Sequence, residues 1–102
     1  MASYMNLISD HALASQDLGK PMILEEFGKY RTSSFGTRDE WYQAYYDTVA
    51  ANTDVIGGSN FWILYHDTYT DYDGFGVYYE QDATTIQIIN DAVADMEALM
   101  NQ

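Results

Sequence analysis

Lys20-Pro21-Met22-Ile23-Leu24-Glu25-Glu26-Phe27-Gly28 is a short apolar run that ends on two carboxylates, an aromatic ring and a glycine. Residues 21 to 27 read as a β-strand: the run is apolar without alternation, as in a parallel strand covered on both faces. A carboxylate at the C-terminal end of such a strand stands where parallel α/β proteins carry out their chemistry. A second run has the same form. Gly57-Gly58 leads into Ser59-Asn60-Phe61-Trp62-Ile63-Leu64 and leaves a large aromatic near the strand's end. The two strand ends are expected to lie side by side.

Working outward, Tyr4, Leu7, Ile8, His11, Ala14 and Leu18 recur every three to four residues, which predicts a helix over residues 3 to 18 with those side chains as its buried stripe. Gly19 and Pro21 supply its stop. Thr37-Arg38-Asp39-Glu40 has the form of a capping box, so a second helix is expected from about 38 to 52, burying Trp41, Tyr42, Tyr45, Tyr46 and Val49. Residues 65 to 83 are too rich in Tyr, Asp and Gly for a helix and read as a long connection, a kind that is usually functional or disordered. Ile86, Ile89, Val93, Met96 and Met100 then mark a last helix after Thr84 and Thr85. The order is α-β-α-β-α in a single α/β domain over residues 1 to 102, with two parallel strands joined by crossovers. Two strands alone leave both edges unpaired, so further strands are expected from elsewhere. The helical pattern starts almost at once, without a leader, and suggests a piece of a longer protein.

Composition narrows the partners. Sixteen Asp and Glu against four Lys and Arg give a formal charge of −12, which argues against nucleic acid and anionic membrane, since both require positive potential. No apolar stretch approaches the ~20 residues needed to span a bilayer. Without cysteine there is neither a disulfide framework nor a thiolate metal site. Ten tyrosines, two tryptophans and four phenylalanines supply more flat amphipathic surface than a small core needs. Such rings pack cores or stack on sugars.

Three segments in register, Lys20 to Gly28, Gly58-Ser59-Asn60-Phe61-Trp62 and Tyr72-Asp73-Gly74-Phe75-Gly76-Val77-Tyr78, resemble in order and spacing the C-terminal part of endo-β-1,4-mannanases of glycoside hydrolase family 5. The resemblance covers essentially the whole chain. It implies the last quarter of a (β/α)8 barrel, helix 6 to helix 8. It also implies a retaining glycosidase that acts on β-mannan outside the cell and needs no cofactor.

Retaining glycosidases use two carboxylates about 5 Å apart, a nucleophile and an acid/base. By the resemblance the nucleophile is Glu26, directly before Phe27-Gly28. Strict alternation along a strand would send Glu25 to the other face. The acid/base glutamate belongs to an earlier strand that this chain lacks, so the chain alone is expected to be incomplete and inactive. Trp62 corresponds to the aromatic platform beneath the sugar at the cleaved bond, although an indole there also suits a helix-sheet core. Tyr65, His66 and Asp67 open the long connection and are candidates to hydrogen-bond sugar hydroxyls. Packing of that connection onto itself accounts for its aromatics too. Trp41 reads as core, and His11 as a hydrogen-bonded structural histidine.

A calcium loop is the competing reading of the connection, because Asp71, Asp73, Gly74 and Glu80 fall at positions 3, 5, 6 and 12 of an EF-hand. Tyr69 at position 1 cannot supply the carboxylate, and a strand precedes the loop, so no metal is expected. His11 and His66 have no helical pairing for zinc. Two other functions remain open beside the enzyme segment. One is a carbohydrate-binding fragment that uses Trp62 and the loop tyrosines; the other is an element that completes its barrel with a partner fragment or by self-association.

Overall fold

A computed structural model describes residues 1–102. Its elements are α1 (Ala2–Asp17), β1 (Met22–Phe27), α2 (Arg38–Ala51), β2 (Ile56–Phe61), β3 (Leu64–Tyr65), β4 (Val77–Tyr78) and α3 (Ala83–Met100). Local chemistry sets the boundaries. α1 ends because Gly19 adopts φ +68, a conformation that favours glycine, and lets the Gly19 and Lys20 amides donate to Gln16 and Ser15 carbonyls at 3.0 and 2.9 Å. α2 begins with the expected capping box: the Glu40 amide donates to Thr37 Oγ1 at 3.2 Å and the Thr37 amide to Glu40 Oε2 at 2.7 Å.

β1 and β2 pair in parallel, with Met22 opposite Ile56 and Phe27 opposite Phe61, so the two strand ends do lie side by side. The mixed α/β order with parallel strands agrees with the sequence, and the connection after β2 adds a second small parallel pair, β3 with β4. No helix is long and apolar enough to cross a membrane.

The core lies on one side of the main sheet. Ile8 and Ala12 of α1 meet Val49 of α2 and Ile56 of β2, with Met22 and Leu24 against them. Phe27, Tyr42, Val77 and Ile89 form a second cluster nearer the strand ends. The molecule measures 44 × 31 × 18 Å, and the short dimension is about that of one helix layer on one sheet.

That one-sidedness corrects three expectations. β1 is not covered on both faces, because Ile23 is 64% exposed. α1 buries only Ile8 and Ala12, while Tyr4, Leu7 and Leu18 are exposed, and so is His11, whose Nδ1 lies 2.8 Å from the Leu7 carbonyl. α3 buries Thr85 and Ile89 but leaves Val93 and Met100 in solvent. Helical period identifies an apolar face. What covers it is decided by the neighbours the chain supplies, and here they are few.

Candidate active site

The C-terminal ends of β1 and β2 meet at a close backbone contact. The Trp62 amide donates to the Phe27 carbonyl at 2.7 Å, and a Cβ on Gly28 would stand 2.5 Å from the Trp62 carbonyl oxygen and 3.2 Å from the Phe75 ring. Glycine after Glu26-Phe27 is therefore a packing requirement. The Trp62–Ile63 peptide is cis. Beneath this contact Tyr42 is fully buried, and its hydroxyl lies 3.3 Å from the Trp62 carbonyl. Burial raises the pKa of the Tyr42 phenol and pushes that of Tyr46 up to about 12, so both rings stay neutral apolar supports with a hydroxyl donor.

Glu25 and Glu26 are both exposed at the end of β1. The strand register shifts between Leu24 and Phe27. Leu24 and Phe27 both pack on the helix-side core although they stand three positions apart, which unbroken alternation does not allow. Across this shift neither carboxylate is drawn into the helix-side core, and both are open to solvent.

Trp62 follows β2 and is 42% exposed, and its Nε1 donates to Asp73 Oδ2 at 3.1 Å. Asp73 also accepts the Phe75 amide at 2.9 Å, and that bond, followed by the indole bond, lowers the Asp73 pKa. Tyr65, His66 and Asp67 share a hollow of about 440 Å³ with Leu64, Tyr79 and Glu80. The structure brings these three candidates together, and Trp62 is not among the residues lining that hollow. Tyr65 stacks against Tyr69 at 4.8 Å. His66 Nδ1 is engaged with Thr68, accepting its amide at 3.2 Å and lying 2.8 Å from its hydroxyl. Asp67 accepts the Glu80 and Gln81 amides at about 3.1 Å each, so its carboxylate closes the connection on itself.

An ionic clamp, buried at Arg38 and exposed at Arg31, holds the loops at these strand ends, and sequence reasoning missed it. Arg31, in the loop after β1, grips Asp82 at 2.6 and 2.8 Å. Arg38, buried at the start of α2, reaches the other side of Asp82 at 3.0 Å, and both guanidinium groups donate to the Gly76 carbonyl at 2.8 Å. Asp71 stands 3.6 Å from Arg31 Nε and caps the Gly74 and Gly76 amides at 3.0 Å. Desolvation works to raise the Asp82 pKa, but the Arg31 bonds, the Tyr78 amide and the Arg38 charge outweigh it and hold the pKa at about 2. One signal was available: a cation in the first turn of α2 opposes the helix dipole and so calls for another partner. Trp41 is buried as expected, donates its indole N–H to the Phe35 carbonyl and carries the Lys29 ammonium 4.1 Å from its ring centroid. The His, Asp and Glu side chains form no cluster that could hold a metal ion.

No protein-family model matches the chain. It is 35% identical over 86 residues to mannan endo-1,4-beta-mannosidase 3 of Solanum lycopersicum, a match covering 80% of this chain and 21% of that relative. Against mannan endo-1,4-beta-mannosidase A of Podospora anserina the identity is 33% over 95 residues, or 90% of this chain and 24% of the relative. The endo-beta-1,4-mannanase from Thermotoga petrophila superposes with a TM-score of 0.71 and 27% identity, covering 89% of this chain and 21% of that one. The hyperthermostable endo-1,4-beta-D-mannanase of the same organism, solved with maltose and glycerol, also gives 0.71 and 27%, over 88% of this chain and 27% of that one. The chain spans about a fifth to a quarter of the length of the curated relatives it matches. Over most of its length it is homologous to one segment of the mannan endo-1,4-β-mannosidases.

Proposed function

We propose that the chain is the C-terminal quarter, helix 6 to helix 8, of a (β/α)8 retaining endo-β-1,4-mannanase of glycoside hydrolase family 5, and that Glu26 is its nucleophile. The observation that carries this reading is the exposed Glu26 at the C-terminal end of β1, beside the end of β2, in a chain homologous to mannanases. Glu26 attacks the anomeric carbon and the leaving oxygen takes a proton from an acid/base carboxylate supplied by a segment outside this chain; water then releases the glycosyl ester. Trp62 is the platform for the apolar face of the sugar at the cleaved bond. Tyr65 and His66 line the cleft beside it, and Asp67 braces that rim. The substrate is β-mannan, and the site of action is outside the cell, where such a polymer is met.

The isolated chain is inactive in this reading, because it lacks the second carboxylate. Strands from a partner segment cover the open sheet. A groove of about 520 Å³ along β2, lined in part by Gly58, Phe61, Ile88 and Met96, supports that arrangement. The test replaces the matched segment of the Podospora anserina enzyme with this chain and assays reducing-sugar release from β-mannan. A chimera that unfolds cooperatively and hydrolyses mannan meets the expectation; one that folds and does not hydrolyse it refutes the proposal.

A further inference from the structure

Trp62 stands 42% exposed just past the end of β2, yet its orientation is not left to its own rotamers. The indole Nε1 donates to Asp73 Oδ2 at 3.1 Å, and the other Asp73 oxygen is occupied by the Phe75 amide at 2.9 Å. The segment around Asp73 is fixed from several directions. Gly74 takes φ +80 with the Tyr30 ring 3.1 Å from where its Cβ would stand, its carbonyl accepts the Arg31 amide at 2.8 Å, and its amide is held by Asp71 at 3.0 Å. Phe75 stacks on Tyr30 with centroids 4.3 Å apart. The carboxylate is therefore presented from a rigid turn to a ring that has two free torsions of its own.

We propose that Asp73 is the positioning residue for the Trp62 platform: it fixes the plane of the indole and, as a charged acceptor on Nε1–H, enriches the ring face that meets the sugar. The inference rests on the reading of Trp62 as a sugar platform. Two effects follow from it. A pre-set ring loses less torsional freedom when a sugar stacks on it, so the cost of ordering it at binding is reduced. A ring whose N–H is bonded to a carboxylate also carries more electron density on its face, which strengthens attraction to the electron-poor C–H groups of a pyranose. Asp73 touches no substrate in this scheme and acts only through Trp62.

The chain has two indoles, and each serves a separate purpose in the test. In the 102-residue chain the Trp62 indole N–H is expected to exchange with solvent at least about tenfold faster after Asp73→Ala, to stay protected in Asp73→Asn, which keeps an acceptor oxygen, and to leave the Trp41 indole, bonded to Phe35, unchanged as the internal control of folding. Mannohexaose affinity, followed by NMR titration, should fall about two- to tenfold in Asp73→Ala, recover in Asp73→Asn, and show no further loss when Asp73→Ala is added to Trp62→Ala. Unchanged Trp62 exchange in Asp73→Ala overturns the proposal. Equal losses of affinity in the presence and absence of Trp62 overturn it too, since Asp73 would then act by another route. If Trp62→Ala itself leaves mannohexaose binding intact, the platform reading fails, and the inference built on it fails with it, whatever the exchange rates.

Discussion

Asp82 carries unequal weight in the clamp, and the inequality can be measured. Removing the Arg38 fork with Arg38→Met leaves every partner with a substitute: Asp82 keeps Arg31 and the Tyr78 amide, the Gly76 carbonyl keeps Arg31, and the Thr85 hydroxyl still donates to Asp39. The loss is then a set of charge-assisted hydrogen bonds, about 2 kcal/mol. Asp82→Asn is different. It strips the buried Arg38 of its one ion-pair partner, while Arg31 retains Asp71 at 3.6 Å. An uncompensated buried charge costs roughly 3–5 kcal/mol. The double variant removes both the stranded charge and its partner and should cost less than the two single losses together. Urea unfolding followed by circular dichroism reads these differences. Arg38→Met costing as much as Asp82→Asn, or strictly additive losses, would refute the reasoning. Acid supplies a second arm. The Asp82 pKa is about 2 when folded against 3.8 for the free side chain, so its stabilisation is complete above about pH 4 and disappears as pH falls through 2. The wild-type chain should lose about 2 kcal/mol across that window from this group, and Asp82→Asn should lack that component.

Other substitutions test the parts separately. Gly28→Ala should destabilise the chain by about 2 kcal/mol or more in the same unfolding assay, since the added methyl meets the Trp62 carbonyl at 2.5 Å and neither backbone can yield without moving the other strand end. Thr37→Ala removes the acceptor for the Glu40 amide and should cost about 1 kcal/mol, with loss of helical signal confined to the first turn of α2. Trp62→Ala should weaken NMR-detected mannohexaose binding by about tenfold or more, to a level still measurable, while leaving the fold intact, because Trp62 is 42% exposed and its removal opens no core cavity.

What the sequence disclosed and what it withheld follow from the range of each interaction. The Thr37 capping box and the Gly19 stop act within a few residues, so both were legible and both stand in the structure. Parallel pairing of β1 with β2 was legible from the alternation of helices with apolar runs. The exposure of Leu7, Ile23 and Val93 was not, because their apolar character records a face without saying what covers it. The exposure of both Glu25 and Glu26 was not legible for a related reason: alternation is a property of a regular strand, and the register shift before Phe27 cannot be seen in residue types alone. The clamp joins Arg31 and Asp82 across 51 residues, and Asp73 reaches Trp62 across 11. Neither pairing has a periodic signature. The connection from 65 to 83 is not a helix, as expected, but it is not wholly irregular: it holds β4 and the end of β3, whose pairing has no signature in residue types, and carboxylates bonded to its own amides order the rest, as Asp67 is to Glu80 and Gln81.

The central claim is that Glu26 forms the glycosyl ester. The direct measurement is peptide mass spectrometry of the Podospora anserina chimera after treatment with a 2-deoxy-2-fluoromannobiosyl fluoride, whose fluorine slows hydrolysis of the covalent intermediate while fluoride leaves readily. The account predicts one added fluoromannobiosyl group on the peptide Met22 to Gly28, located at Glu26 by fragmentation and absent from Glu26→Ala. A label on Glu25, or on any other residue, with mannan hydrolysis surviving Glu26→Ala, would contradict it.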